Sequence, residues 1–385
     1  MRILPLVLSA SIAVARLATA AEMESPSPAG AAYPHLVSAG DRLLMSWTEP
    51  SGEKQAMRFA EYRAGAWNTP RTIVERADLF VNWADFPSIA STSDGTLFAH
   101  WLQKNGAGKY AYDVHVASSR DRGATWSASK VIHRDGKAAE HGFVSLVPVS
   151  RNAIGAVWLD GRQMTGEEGE MTLRYARMTP AGAMANESLL DARVCECCTT
   201  AMAMTSDGPV IAYRDRSPEE VRDISIVRWR NGSWTKPAVL HSDGWKINGC
   251  PVNGPQIDAR GKRVVVAWFT AANDEERVNV AFSSDSGAKF FAPIRVDAGK
   301  PSGRVDVLWL DEKTAAVTWL EGMGDGAHIA LRRIGIDGTL GPIVKIAGSS
   351  SARSSGFPRM AMNGGEIFIA WTEVAPVKKI RVVKF

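Results

Sequence analysis

The residues best suited to chemistry in this chain are its four cysteines. Cys195, Cys197 and Cys198 form a C-x-C-C motif, and Cys250 stands alone further along the chain. In an exported protein, disulfide bonds would join Cys250 to one of the other three. Four thiolates would instead hold a copper or zinc ion, and the adjacent Cys197 and Cys198 would suit a redox-active pair. All three interpretations stay open at the sequence level.

Charged residues gather in the same part of the chain, directly after two predicted strands. The planar guanidinium group of arginine suits an anionic ligand because it binds both oxygens of a carboxylate. The predicted ligand-binding residues are Asp160, Arg162, Arg214, Arg216, Trp245 and Asn248. Alternatively, these arginines are neutralised by neighbouring carboxylates such as Glu219 and Glu220. Asp85 and Asp215 are the candidate catalytic carboxyl groups, and a turn-capping role is the alternative for Asp85.

An internal repeat positions these residues. Each unit starts with a short strand, continues through a polar turn that contains glycine, and reaches a second strand that ends in an aromatic residue. The aromatic residues recur every 51 to 57 positions, as Trp47, Trp101, Trp158, Tyr213, Trp268, Trp319 and Trp371. We interpret them as structural residues that fill the space between repeats.

Four short alternating strands per unit, without a helical period, are typical of a β-propeller. The sequence therefore predicts an all-β fold with seven four-stranded antiparallel blades, and six blades is the alternative. The last unit supplies three strands, so we expect the N-terminal segment, residues 24–33 before the first full unit, to provide the fourth and cover the open sheet edge. Loops between blades share one face with loops between second and third strands. This topology predicts that the cysteines and arginines meet on the face of blades 3–5.

Two turns carry a second motif, S-x-D-x-G-x-x-W, with phenylalanine as the last residue in the second turn. Its residues are Ser119, Asp121, Gly123 and Trp126 in one turn, and Ser283, Asp285, Gly287 and Phe290 in the other. They resemble the Asp boxes, or BNR repeats, of sialidase-type propellers. Aspartate accepts backbone N–H bonds and glycine adopts a positive φ, so the motif is structural.

The resemblance implies a fold, a ligand class and a reaction. Sialidases use three arginines for the substrate carboxylate, a tyrosine nucleophile assisted by glutamate, and an aspartate acid/base. Their Arg-Ile-Pro motif is replaced here by Phe86-Pro87-Ser88 and Phe357-Pro358-Arg359. The implied function is binding of an anionic glycan and, if the protein is an enzyme, hydrolysis of the exo-α-sialidase type. The alternatives are a non-enzymatic periplasmic propeller with a copper or zinc site and a disulfide-stapled protein-binding module.

The N-terminal sequence predicts the location of the protein, and the composition indicates which partners are not expected. Residues 1–20 read as a signal peptide, with Arg2 before an apolar run and an A-x-A site at Ala18-Thr19-Ala20. Residues 21–385 are then one propeller domain, exported to the periplasm or secreted. The 45 basic and 41 acidic residues form no basic run that would indicate nucleic-acid binding. No later segment is long and apolar enough to span a membrane, and we expect a monomer.

Overall fold

The computed structural model describes residues 20–165, 168–324 and 326–385. The predicted signal peptide lies outside these residues except for its last position. The described chain forms seven antiparallel sheets, six of consecutive strands and one that joins the first strand to the last three. The fold is a seven-bladed β-propeller, which confirms the predicted class and decides for seven blades over six.

The strands follow the chain from blade to blade. β1 (Ala21–Met23) precedes blade 1, which contains β2 (Ala32–Ala39), β3 (Arg42–Ser51), β4 (Lys54–Arg63), β5 (Ala66–Trp67) and β6 (Arg71–Arg76). Blade 2 contains β7 (Ser88–Ser91), β8 (Leu97–Lys104), β9 (Tyr112–Ser119) and β10 (Lys130–Val131). Blade 3 contains β11 (His141–Ser150), β12 (Ala153–Asp160), β13 (Thr172–Met178) and β14 (Met184–Asp191).

The remaining four blades repeat this order. Blade 4 contains β15 (Ala201–Thr205), β16 (Gly208–Arg214), β17 (Ile224–Arg230), β18 (Ser233–Trp234) and β19 (Ala238–His241). Blade 5 contains β20 (Gln256–Arg260), β21 (Arg263–Thr270), β22 (Arg277–Ser283) and β23 (Ile294–Arg295). Blade 6 contains β24 (Pro301–Trp309), β25 (Thr314–Met323), β26 (Gly326–Gly335) and β27 (Val344–Ser349), and blade 7 contains β28 (Arg359–Asn363), β29 (Glu366–Glu373) and β30 (Lys379–Lys384). Short 3-10 turns cover Ala272–Asp274 and Arg353–Ser355.

The N-terminal strand closes the ring. β1 pairs with β30 in antiparallel register, with Ala21 opposite Lys384 and Met23 opposite Val382. Blade 7 thereby gains its fourth strand and its outer edge is hydrogen-bonded. The predicted closure from the N-terminal segment is confirmed, but the strand that provides it lies at residues 21–23, before the predicted residues 24–33.

The repeated aromatic residues fill the space between blades, as the repeat predicts. All seven are at most 5% exposed. Several donate the indole N–H to an acceptor two residues later, as in Trp47 to Glu49 (2.6 Å) and Trp158 to Asp160 (2.8 Å). Residues two apart on a strand point to the same side, so each acceptor lies beside its indole. Asp160, which was predicted to bind a ligand, therefore makes a structural hydrogen bond with Trp158.

Both S-x-D-x-G turns join the third and fourth strands of their blades. In the first turn, Gly123 donates its N–H to Ser119 Oγ (2.7 Å), and Asp121 accepts the N–H of Thr125 (2.9 Å). A Cβ atom added to Gly123 would lie 2.3 Å from the ring of Phe59 in blade 1. Trp126 also packs edge-on against Phe59, with ring centroids 6.1 Å apart. The turn therefore packs blade 2 against blade 1.

The packing of this turn predicts the effect of a methyl group. Gly95 and Gly123 both have a positive φ, of 86° and 82°, but the added Cβ of Gly95 meets open space. We expect Gly95→Ala to cost about 1–2 kcal/mol of unfolding free energy from its left-handed backbone. Gly123→Ala should cost about 1–3 kcal/mol more, because Phe59 must move. Urea unfolding of both variants measures this difference. Equal losses of unfolding free energy would show that the turn does not stabilise the packing of blade 2 against blade 1.

Candidate functional site

One end of the propeller, here called the loop face, carries the interblade loops and the loops between second and third strands. The innermost strands of blades 1, 3 and 6 change register at this end. Tyr33, Phe143 and Arg304 adopt positive φ angles of 57°, 54° and 55° at these bulges. This conformation is strained for large side chains, and such strain concentrates at functional sites.

A tyrosine joins two carboxyl groups on the loop face. The Tyr112 hydroxyl lies 2.8 Å from Glu140 Oε1 and 3.2 Å from Asp85 Oδ2. Asp85 also accepts the backbone N–H of Phe143 through Oδ1 (2.7 Å). A Cβ atom at Gly142 would lie 2.0 Å from Asp85 Oδ2, so the carboxyl reaches its place only because residue 142 is glycine.

Protons must be shared within this acid-tyrosine group, which consists of Asp85, Tyr112 and Glu140. One hydroxyl donates a single hydrogen bond, so a second bond at Tyr112 requires a proton on one carboxyl group. Burial raises the pKa of Asp85 to about 8 and the pKa of Glu140 to about 7. Burial and the charges of both carboxyl groups raise the pKa of Tyr112 well above its usual value. The group therefore holds a neutral carboxyl near pH 7, which is a proton donor.

The arginines predicted to bind a ligand are engaged by protein groups. Arg214 is buried, stacks on the buried ring of Trp245 (4.8 Å) and donates to three backbone carbonyl groups. Arg216 forms ion pairs with Glu196 and Glu220. The contacts of Arg216 correspond to the ion-pair alternative, whereas Arg214 is held by carbonyl groups. A ligand role for both arginines stays a prediction.

The other predicted ligand and catalytic residues lie around this network. Arg162 contacts Asp160 through two 2.7 Å bonds and Glu187 through a third of 2.8 Å. Asn248 is exposed in the loop before blade 5. Asp215 accepts bonds from Ser225 Oγ and from the backbone of Arg216, and burial, followed by the charge of Asp191, raises its pKa to about 6.

A tryptophan platform lies beside Asp85 and was missed in the sequence analysis. Trp83 is half-buried and stacks on Phe357, with ring centroids 5.8 Å apart. The guanidinium of Arg304 lies 4.9 Å from the Trp83 ring, and that of Arg353 lies 6.0 Å from it. Arg304 donates to backbone carbonyls of the 350–358 loop, whereas Arg353 is exposed. The position of Trp83 in a loop, outside the repeated aromatic pattern, was the available signal.

A histidine pair lies next to the acid-tyrosine group. The rings of His133 and His141 stack 3.6 Å apart, and His141 Nδ1 donates to the backbone carbonyl of Tyr112 (3.2 Å). His133 Nδ1 and His141 Nε2 both contact Asp135, at 2.7 and 3.1 Å. The sequence analysis did not predict this pair, although His133 and Asp135 belong to the connection between β10 and β11 and His141 begins β11.

The four cysteines meet on the same face. Cys195 and Cys198 are buried, Cys197 is half-buried and Cys250 is exposed, and all four are free thiols. Cys195 Sγ lies 3.3 Å from Cys198 Sγ and 3.9 Å from Cys197 Sγ. Cys197 also interacts with the Cys250 thiol. The structure thus brings together the motif and the remote cysteine as the topology predicted.

Comparisons with known proteins show the fold and not a family. No protein-family model matches the chain, and no curated protein matches it in sequence. The polysaccharide lyase Uly1 superposes with a TM-score of 0.52 at 8% identity, covering 95% of this chain and 91% of the lyase. An α-L-arabinofuranosidase from Fusarium graminearum gives 0.51 at 13% identity, covering 92% and 93%. A sialidase from Trypanosoma rangeli gives 0.50 at 13% identity, covering 83% of this chain and 56% of the sialidase.

These neighbours support the resemblance at the level of architecture. The chain shares the propeller fold with sialidase-like enzymes and with other propellers that act on carbohydrates. In addition, none of the helices in the described parts of the chain is long and apolar enough to cross a membrane.

The raised pKa of Asp85 predicts how stability varies with pH. Its folded pKa of about 8 exceeds its usual value of 3.8, so the folded state binds more protons than the unfolded state between these values. The free energy of unfolding should therefore fall as the pH rises through this window and level off above it. We expect Asp85→Asn to flatten the decrease between about pH 5 and 8, as measured by urea unfolding.

A surface carboxyl supplies the control for this measurement. Backbone hydrogen bonds lower the pKa of Asp311, so Asp311→Asn should change the pH dependence of stability only in acid and leave the decrease between about pH 5 and 8 unchanged. If Asp85→Asn behaves like this control, Asp85 is ionised in the folded protein at neutral pH.

Proposed function

We propose that this protein is an exported propeller that binds an anionic glycan on its loop face and hydrolyses a glycosidic bond there. The acid-tyrosine group carries the proposal, since Tyr112 lies between two carboxyl groups whose pKa values are raised to about 8 and about 7. Glycoside hydrolysis needs a carboxylic acid that protonates the leaving oxygen and a second group that acts at the sugar. Export rests on the signal-peptide pattern of residues 1–20.

Exposure distinguishes the roles within the group. Asp85 is 1% exposed and donates or accepts within the protein, whereas Glu140 is only half-buried. Glu140 can therefore reach a bound glycan, and we assign it as the proton donor. Asp85 forms a hydrogen bond with Tyr112. Its pKa of about 8 keeps its carboxyl group largely neutral near pH 7. Tyr112 is 1% exposed and its pKa is raised well above its usual value, so we assign it the role of positioning the two carboxyl groups.

The tryptophan platform supports the choice of an acidic sugar. Aromatic rings bind the apolar face of a sugar through their surface, and an arginine beside the ring can pair with a carboxylate. Trp83 and Arg353 provide this combination. Trp83 lies two residues before Asp85 in the chain, and Arg353 belongs to the 350–358 loop. Arg353 forms no ion pair among the described residues, so its guanidinium remains available for a ligand.

Hydrolysis of a panel of sialosides and uronides tests the function. Glu140→Gln should lower turnover by roughly 10²-fold or more while binding persists, because the amide cannot donate the required proton. Trp83→Ala should weaken binding without changing the pH profile. Asp258→Asn is the matched control, since Asp258 is a half-buried carboxyl with a raised pKa that accepts the backbone N–H of Trp309 in another part of the ring.

The outcomes separate the parts of the proposal. Full turnover by Glu140→Gln would remove Glu140 from the reaction. Binding without turnover by the unsubstituted protein would reduce the function to glycan binding. If the panel shows neither binding nor turnover, the protein is not a glycan-acting propeller, and a protein-binding module becomes the better explanation.

A further inference from the structure

We infer that Cys195, Cys197, Cys198 and Cys250 form a four-thiolate site for a d10 metal ion, Zn(II) or Cu(I), on the loop face between blades 3 and 5. This inference is independent of the proposed glycan function. It rests on the spacing of the sulfur atoms, on the charged groups around them and on the way the protein holds their loop.

The sulfur spacing is that of metal ligands. Cys195 Sγ lies 3.3 and 3.9 Å from the sulfur atoms of Cys198 and Cys197, and the three sulfur atoms all lie within 4.8 Å of one another. A disulfide bond would bring two sulfur atoms to about 2.05 Å. Four sulfur ligands at the usual Zn–S distance of about 2.3 Å lie roughly 3.8 Å from one another in a tetrahedron. The observed separations bracket that value.

The surrounding charges suit a thiolate cluster. The guanidinium of Arg222 is 3% exposed and donates to Cys195 Sγ at 3.3 Å. This buried guanidinium would compensate part of the negative charge that thiolate ligands bring to the site.

The backbone holds the cysteine loop from both sides. Cys195 donates its N–H to the carbonyl of Arg214 at the end of β16 (3.1 Å), and Val194 donates to Met171 (2.9 Å). On the other side, Thr200 donates its hydroxyl to the carbonyl of Phe143 (2.7 Å). Three sulfur ligands are therefore positioned before a metal binds, which lowers the entropic cost of forming the site.

Exposure identifies the entrance. Cys195 and Cys198 are buried and Cys250 is exposed at the end of the loop that precedes blade 5. A metal ion would enter past Cys250, which interacts with Cys197 but lies outside the group of three sulfur atoms within 4.8 Å of one another. Cys250 would move toward that group to supply the fourth ligand. The choice of metal follows from the ligands, because thiolates prefer Zn(II) and Cu(I) over hard cations such as Mg²⁺. Both ions share this chemistry, and the experiment below distinguishes them.

Metal titration of the full chain, purified without oxygen in the presence of a reductant, tests the inference. We expect four free thiols in the apoprotein and one bound ion that protects all four from a thiol reagent. Competition with a zinc chelator and with a Cu(I) chelator shows which ion binds more tightly. Co(II) is the spectroscopic probe, and a tetrahedral four-thiolate site should give intense sulfur-to-cobalt charge-transfer bands.

Single substitutions assign the ligands. Cys250→Ser should lower the affinity by roughly tenfold or more and weaken the cobalt charge-transfer bands. Cys198→Ser should have the same effect on metal binding. If this substitution of a buried residue prevents folding, Cys250→Ser still tests the site, because Cys250 is exposed. Lys246→Ser, which changes an exposed residue of the same loop, is the matched control and should bind as the unsubstituted protein does.

Three results would overturn the inference. The first is a reduced protein with four free thiols that retains no metal ion at micromolar concentration. The second is a pair of bonded sulfur atoms that persists under reducing conditions and leaves fewer than four thiols, which would establish a disulfide. The third is Cys250→Ser with unchanged affinity and unchanged cobalt spectrum, which would leave the site with three ligands.

Discussion

The pairing of β1 with β30 is the constraint on which the rest of the structure depends. An antiparallel sheet edge leaves a row of unpaired N–H and carbonyl groups, and a propeller keeps only short edges once its last blade is complete. Here the chain returns to its own beginning to complete blade 7. Ring closure holds all seven innermost strands around one axis, so loops from distant parts of the sequence meet on one face. Both candidate sites consist of such loops.

Inside the ring, each blade is covered by two neighbours, and this double burial determines which polar groups the core accepts. A buried indole N–H needs an acceptor. For Trp47 and Trp319, a glutamate two positions later on the same strand meets this need. Trp371 is an exception among the described residues, because its buried indole N–H has no hydrogen-bond partner. The same requirement explains Asp160, which resembles a ligand-face carboxylate in the sequence and bonds Trp158 in the structure.

The bulge at Phe143 connects the two candidate sites. Its backbone N–H donates to Asp85 of the acid-tyrosine group, and its carbonyl accepts the hydroxyl of Thr200, which follows the cysteine motif. A regular strand would use both groups in pairing with its neighbour. The positive φ of Phe143 instead turns them toward loops on either side. Strain at one residue therefore holds a proton-donating group and a sulfur cluster against the same innermost strand.

The sequence alone determined the architecture, because that information is local and repeated. Strand alternation, turn glycines and the spacing of aromatic residues predicted seven blades, the N-terminal closure and both serine-aspartate turns, and loop positions predicted that the cysteines meet. Only the tertiary structure decided what each polar side chain contacts. Tyr112 belongs to an ordinary alternating strand, yet it bonds carboxyl groups from two separate loops. Arg214 looks available to a ligand but is surrounded by carbonyls of three segments. Burial and hydrogen-bond partners arise from the packing of blades that are distant in the chain, so they cannot be predicted from the pattern of any single repeat.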